Sequence, residues 1–162
     1  MPKGYSLAQI SLHWIVALLV LAQFLNDEAI GAAWRAIRRG EAAIPGGFLV
    51  TAHVVVGIAI LALMLWRLGL RLTRGAPAAP AEEPAALRLA AGATHVLLYV
   101  LLLVVPLTGL AAWYGGVAAA GELHELGKTL LMLLVFLHIA GALYQRFVLK
   151  SDAVARMLRP EG

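Results

Sequence analysis

Charged residues are missing from four long intervals of the chain, 4–26, 42–66, 89–121 and 129–145, each filled mainly by Leu, Val, Ala and Ile. A helix needs roughly 17–20 apolar residues to cross the hydrocarbon of a bilayer. The pattern therefore predicts four membrane-spanning helices over about 7–26, 48–70, 89–113 and 125–148. Joined in order they give an all-α, up-down-up-down four-helix bundle, one membrane domain covering residues 1–162. The first apolar run carries His13 and Gln23 and no small-residue cleavage pattern before Asp27 and Glu28, so it reads as a retained helix and not a signal peptide.

The polar stretches between the spans differ in kind. Residues Ala29 to Ala43 in the first loop predict a short interfacial helix with Trp34 as its anchor. The second loop, 74–86, contains Pro77, Pro80 and Pro84 among alanines and predicts an exposed, partly extended linker, because proline cannot propagate a helix. The third, near Tyr114 to Gly121, is short and makes spans three and four antiparallel neighbours. Pro106 and Gly109 fall inside span three, where neighbouring helices can accommodate a kink. Trp14, Trp66, Trp113 and Tyr114 read as interfacial anchors.

Composition sharpens the class. With 62% hydrophobic and 14% charged residues, the 162-residue chain lies outside the soluble range of about half apolar and a quarter charged. The net charge of +4 does not point to nucleic acid, because the cations flank the apolar spans. Nine of them lie with the termini and the second loop, namely Lys3, Arg67, Arg71, Arg74, Arg88, Arg146, Lys150, Arg156 and Arg159. Arg35, Arg38, Arg39 and Lys128 lie on the other side. The asymmetry predicts both termini in the cytoplasm, with lipid as the main partner of the spans.

The chemistry lies in five histidines, His13, His53, His95, His124 and His138, each within or at the edge of an apolar span. Ionisable groups are rare there and usually functional, although the plain reading of any single one is an interhelical hydrogen bond. Depth sorts them: His53 and His124 lie near the outer face, and His13, His95 and His138 towards the inner one. His124 and His138 are fourteen residues apart, close to four helical turns, so one helix presents two rings on one face about 21 Å apart. Two levels of paired rings fit two haems, since an iron takes axial ligands from both sides of the porphyrin. The outer pair is His53 with His124; the inner pair is His138 with either His13 or His95. The chain has no Cys for covalent haem attachment or a thiolate cluster. Gly57, Gly127 and Gly141, three or four residues after a histidine, provide room beside the helix backbone. Arg67 and Arg71 at the end of span two either snorkel to headgroups or contact haem propionates.

The segments SLAQISLHW, TAHVVVGIAI, THVLLYVLLLVVPLTGL and LHELGKTLLMLLVFLHIAGALYQRFVLKSDAVARMLRP resemble the bacterial cytochrome b561 family over nearly the whole chain. The Ile-Ser-x-His-Trp opening and the closing histidines fourteen apart carry the likeness. The resemblance implies two haem b groups, with His13 and His138 on the inner one and His53 and His124 on the outer. That leaves His95 without an iron and, with Ser11, as a candidate beside a ubiquinone acceptor. It also implies electron transfer from a periplasmic donor, either a redox protein or superoxide as in the family's superoxide oxidase branch, or service as the haem subunit of a hydrogenase. Here the first loop is longer and the third shorter than in the family pattern. Arg35, Arg38, Arg39 and Lys128 predict a positive outer face, which speeds encounter with small anions by roughly ten- to a thousand-fold. A histidine-based metal-ion transporter is the rival from another class, and it lacks the intramembrane carboxylates such sites use.

Overall fold

A computed structural model describes residues 4–41, 47–79 and 83–160. The described chain is helical: α1 (Leu7–Leu25), α2 (Asp27–Arg38), α3 (Gly47–Arg74), α4 (Ala85–Gly115) and α5 (Ala118–Phe147), followed by a 3-10 turn at Ala155–Met157. α1, α3, α4 and α5 are each long and apolar enough to cross a membrane. Leu18, Val55, Leu65, Leu97 and Phe136 are among the many large apolar side chains facing outward. In a soluble protein such a surface would be an aggregation hazard, and in a bilayer it is the lipid face.

Local signals account for the ends. Ser6 caps α1 through a capping box with Gln9, which satisfies two otherwise free backbone donors. α2 begins with Asp27 and Glu28 and ends with Arg35 and Arg38, charges of the sign each end of the helix dipole favours. Beyond Arg39, Gly40 takes a left-handed φ of 68°, which ends the helix. The helix predicted over 29–43 is thus shifted towards the N-terminus, and Ala42 and Ala43 lie outside the described residues. Gly116 (φ 65°) closes α4, and α5 begins at Ala118 because Ala118 to Ala120 are strong helix formers. The third loop is therefore tighter than 114–121.

Close approaches run α1 with α3, α3 with α4, and α4 with α5, while α5 stands off from α1 and α3. Gly127 permits the tight α4–α5 contact: a Cβ there would meet Val105 at 2.8 Å. Between the two histidine levels lies an apolar layer of Val16, Val20, Ile60 and Met64, flanked by Leu102 and Leu103. Trp34 anchors α2 to α5, since a Cβ on Gly121 would come within 2.7 Å of its ring. Its half-buried ring ties α2 to the bundle.

The second loop is non-helical over 75–79 with Ala78 and Ala79 exposed, and side chains from elsewhere hold it in place. Gln9 Nε2 donates to Gly75 O (3.0 Å) and Arg156 Nη1 to Ala78 O (3.0 Å). Glu83 is buried and accepts from Gln145 Nε2. Ser151 Oγ donates to Gln145 Oε1 (2.6 Å), and Trp14 Nε1 donates to Met157 O (2.9 Å). Loop carbonyls that proline leaves without helical partners are met by side chains from α1, α5 and the C-terminal segment. Pro80 lies outside the described residues.

Replacing Glu83 by Ala should unpin this loop. A buried amide left unpaired costs about 1–3 kcal/mol, so limited proteolysis in detergent should cut the 75–84 segment faster in Glu83→Ala than in the parent, and Glu83→Gln should lie between them.

Candidate haem-binding site

At the end of the bundle opposite the termini, His53 on α3 faces His124 on α5, with ring centres 6.3 Å apart and planes at 66°. His124 Nδ1 lies 2.8 Å from Val105 O on α4. A carbonyl only accepts, so Nδ1 carries the proton and Nε2 keeps its lone pair. Gly109 makes this possible, because a Cβ there would stand 2.9 Å from His124 Nδ1. Gln23 Nε2 donates to His53 O (2.9 Å), tying α1 to α3 at this level beside Gly57. His53 Nδ1 is buried with no partner among the described residues. A cavity walled by Val20, Gln23, His53, Gly57, Gly109 and His124, partly open to the surface, lies at this level.

At the terminal end, His13 on α1 faces His138 on α5 at 6.1 Å and 65°. His95 on α4 is also near His138, edge-on at 5.0 Å and 86°. It is exposed, and its Nδ1 is 2.7 Å from Ala91 O on its own helix. Arg67 does not snorkel outward. Its Nη1 donates to Gln9 O (2.7 Å), its Nη2 is 3.3 Å from His13 Nδ1, and its guanidinium carbon is 5.9 Å from the centre of the Tyr99 ring. Arg71 is exposed at the end of α3. Ser11 is half-buried on α1, and two residues before His13 it points to nearly the opposite side.

Ring spacing tests whether an iron fits. A metal–imidazole bond of about 2 Å on each side, plus about 1.1 Å from nitrogen to ring centre, puts the centres about 6.2 Å apart. The 6.1 and 6.3 Å separations match this, and the 5.0 Å of His95 and His138 is too short. The helices agree with the rings, because α5 stands off from the two helices carrying the partner histidines. Among the described residues no group of three or more His, Asp or Glu could hold a metal ion. The histidines instead face one another in pairs across gaps.

Of the three glycines singled out in sequence, Gly57 borders the opposite-end cavity and Gly141 is exposed with open space around it. Gly127 is buried against Val105, so it serves helix contact and not a macrocycle. Gly109 was visible only as a kink element, and the Val105 carbonyl carried no sequence signal at all.

The expected positive outer face is also corrected. Lys128 Nζ bonds Asp27 (2.8 and 3.0 Å) and Glu125 (2.7 Å), Arg38 pairs with Glu122 (3.7 Å), and Arg39 with Glu41 (2.5 Å). With Glu28, five acidic residues stand among the four cations on that side. The cations were counted without the acids that face them.

Comparison with known proteins gives a concordant result. A family model described as prokaryotic cytochrome b561 matches residues 4–160. The chain is 40% identical over 161 residues to "Cytochrome b562" of Cereibacter sphaeroides, covering 97% of this chain and 96% of the relative. It is 28% identical over 180 residues to "Probable superoxide oxidase CybB" of Yersinia pestis, covering 98% and 97%. A third relative, "Cytochrome b561 homolog 1" of Escherichia coli, is 26% identical over 175 residues, covering 95% and 96%.

Gly109→Ala should drive the new methyl against the His124 ring. Overpacking of this kind costs about 1–3 kcal/mol, or roughly tenfold or more in retention of a bound group. Haem bound per chain should fall after purification, whereas Gly92→Ala, whose Cβ meets open space, should bind as the parent does.

Proposed function

We propose that this chain, which belongs to the prokaryotic cytochrome b561 family, holds two haem b groups and carries electrons across the bacterial inner membrane between a periplasmic donor and the quinone pool. Family membership itself makes it a multi-pass bacterial membrane protein and a b-type cytochrome of electron transfer. It also displaces the metal-ion transporter reading. The observation that carries the two-haem reading is the pair of ring separations, 6.1 Å for His13 and His138 and 6.3 Å for His53 and His124. His13 with His138, and His53 with His124, would hold the haems, which would supply reversible one-electron chemistry and, with both positions on iron taken by histidine, would leave none for oxygen.

The protein's own groups position, insulate and move protons. His124 is fixed in tautomer and orientation by its Nδ1–H bond to Val105 O, the kind of outer contact that keeps a ligand nitrogen aimed at its metal. Val16, Val20, Ile60 and Met64 exclude water between the two levels. At the end carrying the termini, taken as cytoplasmic because nine of thirteen cations lie there, His95 is exposed beside His138. With Nδ1–H bonded to Ala91 O, His95 Nε2 keeps a free lone pair. That atom can take a proton from ubiquinol or, once protonated, return one to a reduced ubiquinone. Ser11, turned nearly opposite to His13, has no part in this reading.

Superoxide is a candidate donor, since one relative is a probable superoxide oxidase. The paired charges on the outer side remove the steering expected for a small anion. Any reduction by superoxide should therefore depend only weakly on ionic strength.

Haem quantification of the purified protein should return two extractable haems per chain. His53→Ala or His124→Ala should remove one of them and leave the other low-spin; His13→Ala or His138→Ala should remove the complementary one. His95→Ala should retain both and slow reduction by ubiquinol. One haem per chain, or loss of the inner haem in His95→Ala but not in His13→Ala, would overturn the proposal.

A further inference from the structure

The two histidine pairs sit in opposite electrostatic surroundings. We infer that this grading gives the His13–His138 site a higher reduction potential than the His53–His124 site, with Arg67 as the positioning residue responsible. The inference rests on the two-haem reading above. It adds a direction to it: electrons run downhill from the outer level to the inner one.

Arg67 is a permanent cation. It is held by Gln9 O at 2.7 Å, with Nη2 3.3 Å from His13 Nδ1. Among the described residues no carboxylate forms an ion pair with it. A guanidinium only donates, and a ring that gives Nε2 to iron keeps its proton on Nδ1, so Arg67 acts on the site as a fixed positive charge close to His13. An unpaired positive charge in half-buried, apolar surroundings is poorly screened. It penalises the ferric state, which carries one more positive charge than the ferrous.

The outer level has the reverse arrangement. His124 turns Nδ1–H to the Val105 carbonyl, which makes the ring a stronger donor and favours the ferric state. Beside it, Lys128 is matched by two carboxylates, Asp27 and Glu125, so the group carries net negative charge. The same contrast holds over the two ends of the bundle. Among the described residues the terminal end has eight Lys and Arg against Glu83 and Asp152, and the other has four against five acids. Glu83, the buried acid at the terminal end, is engaged by Gln145, two helical turns beyond His138, whereas Arg67 touches His13 directly. When one electron passes between the sites, the outer is oxidised by one electron and the inner reduced by one, with no atom transferred.

Spectroelectrochemical titration tests this. In single-site proteins, His124→Ala, which keeps the inner haem, should show the higher midpoint and His138→Ala the lower. In the two-haem protein, Arg67→Gln should lower the upper wave and leave the lower one in place. A tenfold change in the oxidised-to-reduced ratio corresponds to 59 mV for one electron. Arg67→Lys, which keeps a cation, should restore most of the shift. A reversed order in the single-site proteins, or an Arg67→Gln protein with both haems and unchanged waves, would overturn the inference. If Arg67→Gln loses its inner haem, the order of the single-site proteins decides. A parent with one haem per chain fails the two-haem reading instead, and haem quantification reveals this before any titration.

Discussion

An imidazole inside the hydrocarbon region must have a partner, because lipid offers no hydrogen bond to a buried ring nitrogen. Five histidines in the apolar helices therefore dictate much of how the bundle is arranged. His124 finds a backbone carbonyl across a helix interface, His95 finds one on its own helix, and His53 Nδ1 has none among the described residues, which leaves it to what the site binds. Four of the five meet in facing pairs at the distance an iron would fill. α5 supplies one member of each pair and stands off from the helices that supply the other. Helix contact is concentrated instead on α4, where Gly127 and Gly109 let α5 and its His124 ring come close. On this view α5 is clasped to α4 and faces α1 and α3 across two gaps.

The two ends are built differently, and the difference follows from what each gap requires. At the terminal end the second loop is drawn in by Gln9, Arg156 and Gln145, and the C-terminal segment is fastened to Trp14. These contacts gather polar backbone that would otherwise face the headgroups, and they leave His95 exposed as the group nearest to His138 able to exchange protons. At the opposite end α2 lies over the bundle, held by Trp34 on Gly121 and by the Asp27–Lys128–Glu125 group. Exposed ion pairs contribute little to stability. Their larger effect here is to cancel the field that the arginines alone would project.

Spans and histidines were legible because their signals are one-dimensional: apolar runs give the helices, and the depth of a histidine in its run gives its level. Whether His13 or His95 faces His138 was not legible. Both lie at similar depth, and only the rotation of α1 and α4 about their axes separates 6.1 Å from 5.0 Å. Resemblance to the family supplied that choice. What holds the second loop was not legible, because proline forbids a helix but says nothing about side chains from elsewhere meeting its carbonyls. The partner of Trp34 was not legible either, because a tryptophan at a membrane surface reads the same whether it touches lipid or Gly121. The Val105 carbonyl under His124 left no trace in sequence, since any residue at that position offers one.

The central claim is that two irons sit between facing histidines at two levels of the bundle. Anomalous X-ray scattering at the iron edge, from crystals of the haem-loaded protein, tests it most directly. Two iron peaks are expected, one between His13 and His138 and one between His53 and His124, separated by about 21 Å along α5, the rise of the fourteen residues between its histidines. A single peak, or an iron between His95 and His138, would contradict it.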